Sequence, residues 1–189
     1  MIDIVFPSKN ENEFIEMAKR IGITGLIFAY KNKTEFYTKE SPVPITNALL
    51  VEPKDMQKAR AISAQAICLA SREAIERGAD IAYGFELQEA KDPTHYRASG
   101  LNQVLCKLAT EKKVRIGISF STILAYTGQK RATTLGRIMQ NIIFCRKYKT
   151  PIKIASFATN PYEMRAPAEL AAFFQQLGIH PKEIQTALK

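Results

Sequence analysis

Positively charged side chains are concentrated in one part of this 189-residue sequence, and their density there favours a binding function. Residues 101–155 contain eleven lysines and arginines and one acidic residue, Glu111, while the whole chain has a formal net charge of +9. The rest of the chain is therefore close to neutral. A regional excess of like charge costs self-repulsion and is typical of a surface that meets a polyanion such as nucleic acid.

A helical wheel of residues 130–148 divides this region into a polar and an apolar arc. The polar arc contains Lys130, Thr134, Arg137, Asn141 and Tyr148. The apolar arc contains Leu135, Ile138, Met139 and Ile142. Lysine and arginine suit phosphates and tyrosine suits stacking, so the wheel predicts an exposed RNA-binding stripe that continues into Arg146, Lys147 and Lys149. An ordinary solvated helix face is the alternative, although such faces usually mix both signs of charge.

The segment from Ser156 to Pro167 is a second candidate site, because it joins a predicted strand to a predicted helix. Loops in this position of α/β barrels commonly bind anions, since backbone N–H groups and the helix dipole favour negative charge. Arg165 adds a guanidinium group whose fork suits phosphate. The alternative is that Arg165 and Glu163 only brace the loop.

Residue patterns for metal binding or nucleophilic catalysis are sparse. The two histidines are far apart and have no partner at i+2 or i+4, and no serine lies in a G-x-S-x-G motif. Carboxylates of Asp3, Glu86 and Asp92 could hold one metal ion, and an acidic loop of Glu86, Glu89 and Asp92 could bridge Mg²⁺ to RNA phosphate. Capping or loop roles explain these acids more simply, so we expect neither a catalytic residue nor a resident metal.

Seven apolar runs alternate with amphipathic patterns along the chain. The runs are Ile2–Phe6, Gly25–Tyr30, Asn47–Val51, Ala66–Ala70, Ile81–Phe85, Arg115–Ser119 and Ile152–Ser156. Helical spacing occurs near residues 14–21, 101–108 (with Ser99 as its expected cap), 135–143 and 170–177, and more weakly at 54–62 and 180–188. Nearly continuous apolar strands are covered on both faces, so the pattern predicts an α/β fold with a parallel sheet. Either an open doubly wound sheet or a compact barrel fits this length.

Composition limits the remaining possibilities. The apolar fraction of 46% supports one packed domain over residues 1–189, and no apolar run is long enough to span a membrane. The N-terminus lacks the pattern of a signal peptide. Cys68, Cys106 and Cys145 each lie within an apolar segment, which favours core residues of a reduced, cytoplasmic protein.

Three stretches resemble the ribonuclease P protein component 3 family, the archaeal relative of the eukaryotic thirty-kilodalton subunit. SFATNPYEMRAPAELAAFFQQLGI is similar to the family's final strand, turn and helix at Ser156, Tyr162, Glu163, Arg165, Pro167, Leu177 and Gly178. YRASGLNQVLCKLATEKKVRIGIS is similar to a family helix and strand at Arg97, Gly100, Leu101, Asn102, Val104 and Leu105. The third stretch is a long helix running from Lys130-Arg131 to Arg146-Lys147-Tyr148. Together they cover roughly residues 95–178, whereas the turn at 157–159 departs from the family's small, glycine-containing version.

The resemblance implies a TIM-barrel-like fold related to the PHP metallohydrolases, with about seven parallel strands and surrounding helices. It implies a subunit of ribonuclease P, in which RNA removes the 5′ leader of precursor tRNA, Mg²⁺ serves that RNA-catalysed reaction, and this chain is not itself catalytic. The implied partners are ribonuclease P RNA, component 2, other protein subunits and, indirectly, precursor tRNA. We expect RNA binding by Arg97, Lys107, Lys130, Arg131, Arg137, Arg146, Lys147, Lys149 and Arg165. A small metal-dependent or sugar-phosphate hydrolase or isomerase on a compact barrel is the alternative.

Overall fold

Seven parallel strands form a nearly closed barrel in the computed structural model, which describes residues 1–62 and 64–189. Each strand pairs with the next along the chain. The strands are β1 (Ile2–Val5), β2 (Gly25–Tyr30), β3 (Ile45–Leu50), β4 (Gln65–Leu69), β5 (Ile81–Tyr83), β6 (Arg115–Ser119) and β7 (Ile152–Ala155). The predicted parallel α/β barrel is therefore confirmed, and each strand boundary lies within two residues of its expected place.

Eight α-helices surround the described part of the barrel. They are α1 (Glu11–Ile21), α2 (Met56–Ala61), α3 (Arg72–Glu76), α4 (Gln103–Lys112), α5 (Phe120–Ala125), α6 (Gly128–Tyr148), α7 (Pro167–Gln176) and α8 (Pro181–Ala187). The sequence pattern located six of them and missed α3 and α5, which are too short to show helical periodicity. The expected cap of α4 was also wrong. Asn102 accepts the N–H of Leu105 there, and Ser99 is buried instead.

The middle of the barrel interior is apolar. Its layers include Ile4, Ile27, Ala48, Ile67 and Ile81. At the carboxyl ends of the strands, the rings of Tyr83 and Phe157 stack with centroids 4.7 Å apart, and Phe6 packs against both. Barrel enzymes place their reactive groups at this end of the strands. In this protein, aromatic rings occupy it.

Gly117 permits this aromatic packing. A Cβ at this position of β6 would lie 2.7 Å from Tyr83 Cβ and 3.0 Å from Phe157 Cζ. Because side chains in a packed barrel cannot yield that far without strain, only glycine fits here.

Buried polar side chains complete the barrel between β1 and β7, where the described residues form a single isolated bridge from Val5 to Ala158. Asp3 accepts hydrogen bonds from the N–H and hydroxyl groups of Ser156, at 2.6 and 2.7 Å. Lys153 donates to the carbonyl of Ile2 at 2.7 Å, and burial lowers its pKa to about 8. Asp3 and Ser156, which the sequence offered to metal and phosphate, are therefore structural links across this seam.

The three cysteines are free and buried, as their apolar surroundings predicted. Among the described residues, no helix combines the length and hydropathy that crossing a bilayer requires.

Candidate nucleic-acid interface

Helix α6 is rotated relative to the arrangement that its helical wheel predicts. Thr134, Arg137 and Asn141 are only 4%, 4% and 2% exposed, respectively. Met139 and Ile143 from the opposite side are 38% and 62% exposed. The prediction of an exposed polar stripe was therefore wrong. Arg137 and Asn141 bond to the segment that precedes α4, and the Thr134 hydroxyl donates to the carbonyl of Lys130 within α6.

Arg137 anchors the loop that follows β5. Its Nε donates to Asp92 Oδ1 at 2.7 Å, and its Nη1 donates to the carbonyls of Glu86 and Glu89 at 3.0 and 2.7 Å. Asn141 adds a bond from its Nδ2 to the carbonyl of Ser99 at 2.9 Å. The Arg137 side chain is only 5% exposed, so its predicted contact with RNA phosphate is corrected to a structural role.

The carboxyl of Asp92 is held in its ionised form by its contacts. Burial opposes ionisation of its carboxyl, yet the N–H of Ala98 and the guanidinium of Arg137 together hold its pKa below the usual range. The pair therefore exists as carboxylate and guanidinium at neutral pH. Charge-assisted bonds of this kind are shorter and stronger than neutral ones, which suits them to fixing a long loop.

Two further predicted arginines donate much of their hydrogen-bonding capacity to backbone carbonyls. Arg131 bonds to the last turn of α5, with Nε 3.1 Å from the carbonyl oxygen of Ile123. Arg165 Nη1 donates to the carbonyls of Tyr162 and Met164 at 2.9 and 2.7 Å. These bonds stabilise the loops, so only the guanidinium nitrogens that make no such bond could donate to a ligand.

The segment after β7 is braced from within. The carboxylate of Glu163 accepts the N–H groups of Thr159 and Asn160 at 2.8 and 3.3 Å. The Arg165 guanidinium also lies 5.4 Å from the centre of the Phe120 ring. Of the two roles that the sequence left open for this loop, the contacts favour bracing over a phosphate site.

Arg97 and Arg146 are exposed but also make internal contacts. Arg97 Nη1 donates to the carbonyl of Gly136 at 3.3 Å and covers that glycine on α6. Arg146 pairs with Glu183 of α8 at 2.8 Å, and that carboxylate raises the pKa of the guanidinium. Surface pairs of this kind exchange readily with other partners, because each contributes little to stability.

Four predicted lysines are exposed and belong to no salt bridge among the residues that the structure describes. They are Lys107 on α4, Lys130 and Lys147 on α6, and Lys149 directly after it. Helices α4 and α6 lie side by side, and the Thr110 hydroxyl oxygen of α4 is 3.2 Å from the carbonyl oxygen of Tyr148 on α6. We call Lys107, Lys147 and Lys149 the α4–α6 lysine surface. Its charge is available to an anionic partner.

The fold also assembles a basic pocket that the sequence did not reveal. It has a volume of about 680 Å³, and its basic residues are Arg115, Arg146, Lys149, Lys182 and Lys189. Lys182 and Lys189 lie outside the charge-rich stretch of the sequence. Helix α8 brings them to the amino ends of β6 and β7, which is a long-range contact that no local pattern encodes.

The carboxylates proposed for a metal ion are dispersed. Across residues 1–62 and 64–189, no group of three or more histidine, cysteine or acidic side chains is arranged to hold one. Asp3 lies at the β1–β7 seam, Asp92 pairs with Arg137, and Glu86 is buried. The acidic loop therefore does not present the open cluster that an Mg²⁺ bridge to RNA would use.

The fold defines a parallel α/β barrel protein that carries exposed lysines on α4 and α6. The family model of RNase P subunit p30 matches residues 90–189, more than half of the chain. This chain therefore belongs to the RNase P subunit p30 family, as the resemblance in its C-terminal half predicted.

Archaeal relatives agree with this assignment. The chain is 38% identical over 96 residues to ribonuclease P protein component 3 of Methanosarcina mazei, which covers 51% of this chain and 40% of that protein. It is 32% identical over 118 residues to the Archaeoglobus fulgidus protein of the same name, covering 62% and 52%. The matched region thus spans about half or less of the length of these relatives.

Solved structures share the fold. A chain in the cryo-EM structure of archaeal ribonuclease P with mature tRNA superposes with a TM-score of 0.78 and 23% identity, covering 100% of this chain and 87% of that one. The crystal structure of A. niger ochratoxinase superposes with a TM-score of 0.53 and 12% identity, covering 98% of this chain and 51% of that one. At these identities, the likeness supports a TIM-barrel-like architecture and nothing finer.

Proposed function

We propose that this chain is a protein subunit of ribonuclease P and supports its catalytic RNA during removal of the 5′ leader from precursor tRNA. The observation that carries this proposal is the α4–α6 lysine surface, which lies within the segment matched by the family model. The relatives that match this segment are ribonuclease P proteins by name. We place the protein in the cytoplasm as part of the same proposal.

The contribution of the chain to the reaction is electrostatic. Exposed lysines neutralise RNA phosphates, release counterions and allow RNA segments to approach one another. The RNA performs the cleavage with Mg²⁺, and this chain lowers the Mg²⁺ concentration that the folded RNA requires. Precursor tRNA is held through the RNA and so contacts this chain indirectly.

A partner subunit fits the same side of the molecule. Val104 on α4 is 59% exposed, and Ile143 on α6 is 62% exposed beside the lysines. We assign this apolar strip to contact with component 2, since apolar centres with charged rims are typical of protein interfaces. Phe144, the next residue after Ile143 on α6, is partly buried and packs against the core, so it is not part of this strip. Other protein subunits would then dock elsewhere on the barrel.

The alternative of a small barrel enzyme has less support. Phe6, Tyr83 and Phe157 fill the end of the barrel where a substrate would bind. The Arg165 loop that might hold a sugar phosphate is bonded to its own carbonyls. Neither region offers the polar cleft that such chemistry uses.

The proposal is tested by precursor tRNA cleavage with reconstituted ribonuclease P RNA at limiting Mg²⁺. We expect strong stimulation when this protein and component 2 are both present. The double variant Lys107→Glu with Lys147→Glu should lose that stimulation at moderate salt, because two attractive phosphate contacts become repulsive. Lys33→Glu with Lys39→Glu is the matched control, since it makes the same change of charge at two exposed lysines between β2 and β3.

Two results would contradict the proposal. Absence of stimulation by the unaltered pair of proteins would remove the role in leader cleavage. Equal stimulation by the Lys107/Lys147 variant and its control would remove the α4–α6 lysine surface from the RNA interface.

A further inference from the structure

The basic pocket at the amino ends of β6 and β7 is held in shape by bonds in both of its walls. In the turn from α6 into β7, the N–H of Thr150 donates to the carbonyl of Cys145 at 2.8 Å. The Thr150 hydroxyl oxygen is also 3.0 Å from the carbonyl oxygen of Cys106 on α4. Helix α8 forms the other wall, and the carbonyl of Leu188 directly after it accepts the N–H of Ile2 at 3.0 Å. The pocket is therefore formed by well-bonded segments of the fold.

The charged side chains that line the basic pocket are mostly cations. Arginine and lysine contribute five of them, and Glu183 is the one acidic side chain of the lining that the structure describes. Glu183 is already paired with Arg146 at 2.8 Å, and this bond holds the pKa of the carboxyl below its usual range. Four cations of the lining belong to no salt bridge among residues 1–62 and 64–189, namely Arg115, Lys149, Lys182 and Lys189. A concave surface with such an excess of positive charge attracts anions.

Arg115, the first residue of β6, has the strongest need for a partner. The residue is half-buried, and burial lowers the pKa of its guanidinium, an effect that Asp80 opposes only in part. The arginine side chains that donate hydrogen bonds within the described part of the chain do not include Arg115. Solvent still reaches its nitrogens, since none of them is among the unpaired atoms that the fold buries completely. An anion in the pocket would offset the cost of this partly desolvated charge.

The basic pocket is continuous with the α4–α6 lysine surface. Lys149 belongs to both, because it is exposed directly after α6 and also lines the pocket. Arg146 lines the pocket from the last turn of α6, and the exposed Lys147 follows it on the helix. An anionic chain that crosses the lysine surface would therefore reach the pocket at the end of α6.

The size and lining of the basic pocket favour part of a nucleic-acid strand over a single ion. Its volume of about 680 Å³ lies in the range of pockets that hold organic ligands. Ile152, Ile179 and Ala187 add apolar surface beside the cations. Phosphates suit arginine and lysine, while the apolar side chains would contact ribose or base. The net positive charge of the lining repels metal ions.

We propose that the basic pocket binds the backbone of an unpaired RNA segment, with phosphate oxygens accepting hydrogen bonds from Arg115, Lys149 and Lys182. The inference rests on the proposed function, since an RNA subunit is what would supply such a segment. It extends the RNA interface from α4 and α6 to α8, which lies outside the charge-rich residues 101–155.

Titration of the full ¹⁵N-labelled chain with anionic probes at constant ionic strength tests this proposal. The probes are inorganic phosphate, tripolyphosphate, hexauridylate and hexa-aspartate. We expect hexauridylate to shift amides within residues 145–153 and 179–188 and to bind about tenfold more tightly than inorganic phosphate, because several phosphates are engaged together.

The other probes identify a different ligand if the proposal is wrong. Tighter binding of tripolyphosphate than of hexauridylate would assign the pocket to a small phosphate compound and overturn the RNA contact. Binding of hexa-aspartate as tight as that of hexauridylate would show that any polyanion is accepted and would overturn the preference for phosphate.

Variants of Lys182 locate the contact. This lysine is exposed near the start of α8, where an acidic side chain favours the helix, so Lys182→Glu should keep the fold. We expect the variant to lose the shifts at 179–188 and to bind hexauridylate about tenfold more weakly. Lys182→Arg should retain both, because it keeps the positive charge. Lys39→Glu is the control, since it makes the same change of charge at an exposed lysine between β2 and β3. Equal losses in Lys182→Glu and Lys39→Glu would reduce the effect to net charge and overturn the pocket.

Precursor tRNA cleavage with the same variants separates the pocket from the proposed function. Stimulation that Lys182→Glu leaves intact, without hexauridylate shifts at the pocket, would preserve the ribonuclease P role and show the pocket inference to be wrong. Binding of hexauridylate in the pocket without any stimulation by the unaltered proteins would uphold the pocket and overturn the ribonuclease P role.

Discussion

Helix α6 has polar residues on two sides, and the residues of each side have a different role. On its inner side, Arg137 and Asn141 are buried and hold the chain segment between β5 and α4. On its outer side, Lys147 is exposed beside the apolar Ile143. The two cations lie on one helix within a basic region, yet one stabilises the fold and the other is free to bind. Charge by itself therefore does not mark an interface, and burial decides which role each side chain has.

The largest effect should follow from removal of the inner cation. Arg137→Met leaves Asp92 and two loop carbonyls without their donor, so we expect a loss of about 3–5 kcal/mol in the free energy of unfolding. Denaturant unfolding measures this loss. Arg77→Met is the matched control, because Arg77 forms an exposed pair with Glu73 at 2.8 Å and should cost less than about 0.5 kcal/mol. Equal losses would abolish the distinction between buried and exposed cations.

A second effect concerns the carboxyl beneath the anchored loop, and it depends on pH. The folded chain binds the Glu86 proton more tightly than the unfolded chain, since burial raises its pKa to about 7. Stability from this group is complete below the unfolded pKa and is lost as pH rises through about 7. Glu86→Gln should therefore gain up to about 3 kcal/mol over the unaltered chain at pH 8 and almost nothing at pH 4.

Thermal unfolding across this pH range checks the Glu86 prediction. The variant and the unaltered chain should differ by an amount that grows with pH and then levels off. A constant difference at every pH would show that Glu86 titrates normally and that the substitution acts through packing alone.

The second inner contact should have a smaller effect. Asn141→Ala removes the bond to the Ser99 carbonyl and leaves that buried acceptor unpaired, which should cost about 1–2 kcal/mol. Asn12→Ala, on the exposed side of α1, should change stability by less than about 0.5 kcal/mol. Hydrogen exchange of the 86–102 amides gives an independent measure. Faster exchange in the Asn141 variant is expected, and unchanged protection would show that Arg137 alone holds the segment.

Substitution of the outer cation, Lys147, should have the smallest effect on stability. Its effect should be seen in the affinity for RNA. Lys147→Ala should alter stability by less than about 0.5 kcal/mol. It should also reduce the slope of log affinity against log salt for ribonuclease P RNA by about 0.7–0.9, the value for one lost phosphate contact. Lys39→Ala removes the same charge elsewhere. If both variants keep the original slope, Lys147 does not contact phosphate.

Much of the fold could be predicted because its signals are local. A strand such as Gly25–Tyr30, buried on both faces, must be apolar at nearly every residue, and that is visible without any neighbour. The short helices Arg72–Glu76 and Phe120–Ala125 escaped detection because five or six residues do not establish a period.

The site was predicted less completely. Lys107, Lys130, Lys147 and Lys149 lie on the surface as expected, and their contact with RNA stays a prediction. The rotation of α6 was wrong, because a helical wheel sorts residues by polarity and contains no information about the carbonyls of Glu86, Glu89 and Ser99 that needed donors. Similarly, nothing local shows that Lys182 and Lys189 face the same pocket as Arg115.

The class of this protein could be predicted from its residue patterns. Seven apolar runs predicted the parallel sheet, and the charge of residues 101–155 predicted a cationic region without showing which of its side chains are exposed. Long-range packing determines which cations are free, because buried carbonyls and carboxylates compete for the same guanidinium groups that phosphates would use. A buried acceptor without a hydrogen bond costs more free energy than a hydrated cation without a partner. Arg137 therefore bonds to the loop after β5, whereas the lysines are exposed to solvent.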